Sequence, residues 1–202
     1  MKRVFTLIVM FASFCSFTTI AQNKWNVSAG GSVSHKINES MFNGFSVGWG
    51  RGAFIGAGYE FNFNKHWSLN PQLELDYINN GEVLKFKGTK ERIKGDVNFL
   101  NLRIPVITSF RFKISDFTGL RFGAGPYLQE SLAAWERKKL NSNERISKGG
   151  SAVKRFNIGV QGEVAVETGE HLSYMFCVNY PFITENWMNR ILTMSLCVRY
   201  SF

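Results

Sequence analysis

The closing stretch Ile191-Leu-Thr-Met-Ser-Leu-Cys-Val-Arg-Tyr-Ser-Phe202 decides the fold. In an extended chain Leu192, Met194, Leu196, Val198, Tyr200 and Phe202 point one way, and Thr193, Ser195, Cys197, Arg199 and Ser201 the other. A period of two without a register error predicts a strand with one apolar and one polar face. A single strand cannot stand alone in water or lipid, so the chain must supply partners of the same kind.

Seven further segments do so. Residues 25–33 set Trp25, Val27, Ala29 and Val33 on one face. Residues 53–63 set Ile55, Ala57, Tyr59, Phe61 and Phe63 against Gly56, Gly58 and Glu60, with Phe45, Val47 and Trp49 pointing to an earlier start. Residues 67–77 alternate Trp67, Leu69, Pro71, Leu73, Leu75 and Tyr77 with Ser68, Asn70, Gln72, Glu74 and Asp76; Pro71 predicts a gap in the ladder. In residues 99–112 Leu100, Leu102, Ile104, Val106, Phe110 and Phe112 oppose Asn101, Arg103, Ser109 and Arg111. In residues 119–128 Leu120, Phe122, Ala124 and Leu128 oppose Arg121, Tyr127 and three glycines. Residues 156–167 set Phe156, Ile158, Val160, Val164 and Val166 against Asn157, Gln161, Glu163 and Glu167, and residues 172–180 set Leu172, Tyr174, Phe176, Val178 and Tyr180 against Ser173, Cys177 and Asn179. Short turns follow strands two, four and six, whereas long polar connections follow strands one, three, five and seven, including residues 79–97 and 132–154. Such alternation of short and long connections is the pattern of an even-stranded transmembrane barrel with both termini on one side.

Side-chain size decides which face is inside. Eight strands enclose an interior just wide enough for side chains to fill. The apolar set, dense in Phe, Leu, Ile, Tyr and Trp, would overfill it; the polar set, rich in Gly, Ser and Asn, fits. Glu60, Glu74, Asp76, Glu163 and Glu167 share the polar faces with Arg103, Arg111, Arg121 and Arg199, a near balance that suits a lumen held by ion pairs. Facing lipid at mid-depth, one Arg would cost about 2–4 kcal/mol. Aromatic girdles are expected at Trp25, Phe63, Trp67, Phe112, Tyr200 and Phe202 at the terminal side, and at Tyr77, Tyr127 and Tyr180 at the far side. The fold expected is all-β: an eight-stranded antiparallel up-and-down transmembrane β-barrel. A soluble barrel with its apolar face inward, binding small hydrophobic ligands as lipocalins do, is the alternative.

The ends and the composition bound the compartment. Lys2 and Arg3, an apolar run from Val4 to about Phe17, and small residues before position 22 predict a cleaved signal peptide over 1–21 and a barrel domain over 22–202. The 202-residue chain carries 19 Gly, 19 Phe and only 4 Pro, a balance that disfavours helices. Its formal charge of +9 falls to +7 once Lys2 and Arg3 leave with the signal peptide. An exported chain meets no nucleic acid, so acidic surfaces are the partners this charge points to. Cys177 and Cys197 fall on the lumenal face of adjoining strands, as a cross-strand disulfide or as two buried thiols.

Leu102-Arg-Ile-Pro105, Ser109-Phe-Arg-Phe112, Phe122-Gly-Ala-Gly-Pro-Tyr127, Asn157-Ile-Gly159 and the closing Arg199-Tyr-Ser-Phe202 resemble the small outer-membrane β-barrels called PorT-like, across the whole mature chain. The resemblance implies an integral outer-membrane barrel, exported through the periplasm, and leaves its activity open, since a fold does not fix a function. The terminal aromatics Tyr200 and Phe202 resemble the signal read by the barrel-assembly machinery.

No cofactor is called for by any motif. His35 with Ser34, Glu39 and Ser40 is the one group that could serve a lipid-modifying enzyme at an outer rim, against the plainer reading of a residue opening a solvated loop. His66 and His171 fall in separate turns without further ligands at metal spacing. The basic connections carry the functional expectation. Lys85, Lys87, Lys90, Arg92 and Lys94 lie in one, and Arg137, Lys138, Lys139, Arg145 and Lys148, with Lys154 and Arg155, in or beside another. Outside an outer membrane they would meet the phosphates and sugar acids of lipopolysaccharide or an acidic envelope partner. The function expected is a structural or interaction barrel, without enzymatic activity.

Overall fold

A computed structural model of the chain describes residues 23–36, 45–47, 49–85, 92–140, 143–147, 156–184 and 191–202. The expected signal peptide over 1–21 lies outside them. Among the described residues ten strands run in order: β1 (Lys24–Lys36), β2 (Phe45–Val47), β3 (Gly50–Asn62), β4 (Trp67–Lys85), β5 (Arg92–Lys113), β6 (Thr118–Leu140), β7 (Asn143–Ser147), β8 (Phe156–Thr168), β9 (Leu172–Thr184) and β10 (Ile191–Ser201). Eight of them close a ring of antiparallel neighbours, β1-β3-β4-β5-β6-β8-β9-β10 and back to β1, so no edge is left in the barrel wall. The final strand does the closing: Val27 pairs Tyr200, and the Phe202 amide donates to the Trp25 carbonyl at 2.9 Å. The short strands β2 and β7 add to the far ends of β4 and β6.

The two faces separate as size and charge require. Trp25, Ile55, Phe63, Leu196 and Phe202 are exposed on the outside, Leu196 to 70%. Asn26, Ser28, Gln72, Arg121, Gln161, Glu163 and Arg199 are buried inside. A buried polar interior under an exposed apolar wall is the inverse of a lipocalin, and only a lipid solvent makes it favourable. At the terminal side the aromatics interlock edge to face: Trp25 on Tyr59 at 4.8 Å, Trp67 on Phe110 at 4.9 Å, Tyr200 on Phe202 at 5.1 Å.

Three tight turns close the terminal end. The Asn64 side-chain carbonyl accepts from the amides of His66 and Trp67, both at 2.8 Å, which folds residues 63–66 back on themselves. Lys113 and Asp116 bond at 2.8 Å across the next turn, and that hydrogen bond and charge hold the Asp116 carboxyl below its ordinary range. Gly169 takes a φ of 68° in the third, a conformation open to glycine at no steric cost.

Three sequence expectations need correction. The polar connections expected over 79–97 and 132–154 are strand over much of their length: β4 extends to Lys85, β5 starts at Arg92 and β6 reaches Leu140. Phe45 and Val47 belong to a separate strand paired with β4, not to the start of β3. Tyr127 is a lumenal residue, 2% exposed, and not part of a girdle. It pairs directly with Gly159, where a side chain would collide with the Tyr127 ring, so the glycine is what lets the ring lie inside. Pro71 does mark a break: pairing of β4 with β5 lapses from Pro71 to Glu74, opposite Pro105.

Replacing Leu196 with Arg puts a charge on the lipid face of β10 and is expected to cost about 2–4 kcal/mol in urea unfolding of the barrel in a bilayer. A stability unchanged by Leu196→Arg would mean that this face meets water.

Candidate functional site

The lumen is built from alternate residues of the eight wall strands, and the nine charged residues expected there occupy two linked groups. Glu163 on β8 lies at the centre of the first. Its carboxylate stands 3.3 Å from Arg199 on β10 and 3.6 Å from Arg121 on β6, and accepts from the Ser109 hydroxyl on β5 at 3.3 Å. Arg121 also reaches Glu60 on β3 at 3.5 Å and Glu167 at 3.7 Å. Arg111 joins Glu60 at 2.9 Å and Glu167 at 2.6 Å, while Arg199 donates to Gln72 on β4 at 3.1 Å. In the second group Arg103 on β5 spans Glu74 at 3.2 Å and Asp76 at 2.9 Å, donates to Gln129 on β6 at 3.2 Å and lies over the Tyr127 ring. Beside Arg103 and Tyr127 a cavity of about 20 Å³ remains, room for about one water molecule. At the terminal end the lumen widens into a cavity of about 420 Å³ bounded by Arg111, Glu167, His66 and His171.

The lumenal positions expected for Cys177 and Cys197 hold, and three further apolar residues, Phe54, Ala165 and Met175, which alternation did not single out, enter the lumen beside them. Phe54, Ala165, Met175, Cys177 and Cys197 form a buried cluster at mid-depth. Cys177 pairs Ser195 and Cys197 pairs Met175, so the two thiols meet on a diagonal, hydrogen-bonded at 3.9 Å and not joined as a disulfide. For Phe54, Ala165 and Met175 the signal available in sequence was their parity with the lumenal polar residues, which an apolar side chain hides.

The remaining candidates take distinct positions. Ser34 faces the lumen and donates to Asn80 at 2.7 Å, whereas the His35 ring lies against Trp49, so these neighbours occupy opposite faces of β1. Glu39 and Ser40 lie outside the described residues. His66 Nδ1 lies 3.2 Å from the Arg111 carbonyl and stacks on Phe110; His171 Nδ1 lies 2.7 Å from the Ser201 carbonyl and stacks on Tyr200. Both tie turns to neighbouring strands.

Register brings the basic residues together at the far end. Lys85 pairs Arg92, Lys94 pairs Lys139, and Asp96 pairs Arg137. Lys138 pairs Arg145 on β7, and Lys139 pairs Glu144. Lys87, Lys90, Lys148, Lys154 and Arg155 lie outside the described residues. The two basic connections are therefore one paired sheet that extends the wall beyond Tyr77 and Trp135.

Glu163 is the carboxylate common to two buried arginines, so Glu163→Ala is expected to destabilise the refolded barrel by about 3–5 kcal/mol in denaturant titration. Glu167→Ala, nearer the open mouth, is expected to cost less. Equal, small losses for both would contradict the central position of Glu163.

Comparison with known proteins follows the same architecture. The structure is similar to the outer membrane protein OprG of Pseudomonas aeruginosa, with a TM-score of 0.50 and 12% identity over 89% of this chain and 96% of that one. It is also similar to Neisserial surface protein A, with a TM-score of 0.47 and 16% identity over 90% and 98% of the two chains. For Ail of Yersinia pestis, solved with the heparin analogue sucrose octasulfate, the TM-score is 0.44 at 13% identity over 90% and 100%. No curated protein sequence matches the chain. The pattern of the outer membrane protein beta-barrel domain family matches residues 20–185, most of the chain. With its closed eight-stranded wall, apolar outside and charged lumen, the chain belongs to the outer membrane protein beta-barrel domain family and is an integral outer-membrane protein.

Proposed function

We propose that this barrel has a structural or interaction role in the envelope, and that its basic sheet extension contacts lipopolysaccharide or an acidic envelope partner. In outer-membrane barrels the termini and short turns face the periplasm and the longer connections face outward. On that orientation the paired residues Lys85, Arg92, Lys94, Arg137, Lys138, Lys139 and Arg145 stand at the cell surface. The observation that carries the reading is their convergence: two segments far apart in sequence join through direct strand pairing into one basic patch. Arginine and lysine there can form charge-assisted hydrogen bonds to phosphate.

Diffusion through the barrel is a poor alternative. Eight strands leave no channel of porin width, and the Arg103 and Glu163 groups fill the middle of the lumen. The absence of enzymatic activity is part of the proposal, supported by Ser34 and His35 lying on opposite faces of β1. A role in secretion or envelope assembly, as the PorT-like resemblance implies, fits the same surface. So does recognition of Tyr200 and Phe202 by the barrel-assembly machinery.

The purified full chain is expected to bind lipopolysaccharide vesicles at about 50 mM salt and to release them at about 0.5 M, where charges more than a few ångströms apart are screened. Phosphatidylcholine vesicles are expected not to bind through the extension. Absence of lipopolysaccharide binding at low salt would overturn the proposal.

A further inference from the structure

The lipid-facing wall is not evenly covered. Direct pairing across β10, β1, β3 and β4 sets its side chains in rows. One row holds Leu196, Gly31, Ala53 and Tyr77; the next toward the terminal side holds Val198, Ala29, Ile55 and Leu75. Gly31, Ala29, Ala53 and Ala57 thus give β1 and β3 a low floor, exposed between the projecting Leu196 and Tyr77. Its terminal-side half, from Ala29 to Ala57, is a lateral groove of about 740 Å³ that reaches Leu73 and Leu102. A glycine inside a strand weakens it and often marks a place where another group approaches closely. The lumenal Gly30 has its reason within the protein, since a side chain there would collide with Cys197. At Gly31 an added Cβ would meet nothing nearer than the Gly52 carbonyl at 3.9 Å, so no neighbour in the chain requires the gap.

The far end of the floor carries a charge. Arg51 shares the face of Ala53 on β3, pairs Val33 and Asn79, and projects exposed from the lipid side. From Tyr59, among the terminal-side aromatics, to Arg51 is roughly 26 Å along the strand at about 3.3 Å per residue. At the tilt of barrel strands that distance crosses most of the apolar band, so Arg51 stands at the opposite interface. The exposed aromatics Trp49 and Tyr77 flank it, as interfacial side chains do. An arginine on the lipid face is costly at mid-depth and tolerated at the interface. Among the described residues no carboxylate pairs with it.

We propose that this floor is a binding site for one lipid A molecule, with a phosphate on Arg51 and an acyl chain laid from Ala53 along the groove to Ala57. The order of the parts carries the assignment. A cation at the interface, small residues beneath it and an apolar groove beneath those match the order of phosphate and acyl chain in a lipid. The guanidinium fork takes two phosphate oxygens at once. Apolar burial alone selects no lipid inside a bilayer; close van der Waals contact in a groove does. The outward orientation of the far end makes lipid A the source. The site shares that orientation with the lipopolysaccharide contact proposed for the basic extension, and none of its residues.

The test titrates bisphosphorylated lipid A, dephosphorylated lipid A and phosphatidylglycerol into micelles of the purified full chain and counts retained lipid by native mass spectrometry. Ammonium acetate at about 0.5 M screens the exposed extension, and a partly desolvated pair much less. Arg51→Gln is expected to lower retention of the bisphosphorylated form about tenfold and to leave the dephosphorylated form unchanged. Gly31→Leu, which fills the floor, is expected to lower both severalfold. Gly162→Leu is the matched control. An added Cβ there also meets nothing within 4 Å, but Val160 and Ile158 stand outward of it on β8 in place of a cation. It is expected to change retention by less than about twofold. Ala53→Leu, with the effect expected of Gly31→Leu, covers the case in which that variant fails to fold. Equal losses from Gly31→Leu and Gly162→Leu, no loss from Arg51→Gln, or equal retention of phosphatidylglycerol would overturn the site. None of these results touches the extension, whose own test is salt-sensitive binding of vesicles.

Discussion

The carboxylate of Glu163, held between Arg121 and Arg199, is the interaction on which the rest of the barrel depends. Closing eight strands forces a set of alternate side chains into a space without bulk water, and any charge there must find its counterpart inside. Glu163 draws β6, β8 and β10 together, and Ser109 adds β5. Through Arg121 and Arg111 the same group reaches Glu60 on β3, and through Arg199 it reaches Gln72 on β4. The network crosses the lumen instead of running along one strand, so it fixes how distant parts of the wall face one another.

That constraint also explains the outside. With the lumenal charges paired internally, the wall can present Leu196, Ile55 and Trp25 to lipid, and the backbone groups of the wall strands are spent in a ladder without an edge. The second group, Arg103 between Glu74 and Asp76 under Tyr127, closes the far half of the lumen. At the turns the lumen opens into a vestibule, and at the opposite end β5 and β6 continue their pairing beyond the wall.

The strands inside the bilayer were legible because lipid on one side and a polar lumen on the other impress a strict period of two. The closing strand from Leu192 to Phe202 is the clearest case. Where the sequence loses its apolar alternation, from Asn79 in β4 and from Leu132 in β6, the chain reads as loop although backbone pairing continues. Tyr127 was misread by size: its parity is lumenal, but only the direct pairing with Gly159 reveals that a ring fits there. Phe54 and Met175 escaped notice because an apolar side chain in a polar row looks like noise. The pairing of Lys94 with Lys139 depends on a register set by the bulge between Leu100 and Asn101, which no local pattern announces.

The most direct test of the account is heat-modifiable migration of the full chain on SDS gels, taken from washed outer membranes. A closed barrel with its apolar face outward resists SDS, so the unheated protein is predicted to run apart from the boiled chain and to stay with the membrane. A single position before and after boiling, with the protein in the soluble periplasmic fraction, would contradict it: the apolar face would then line a pocket, and Glu163 would face water.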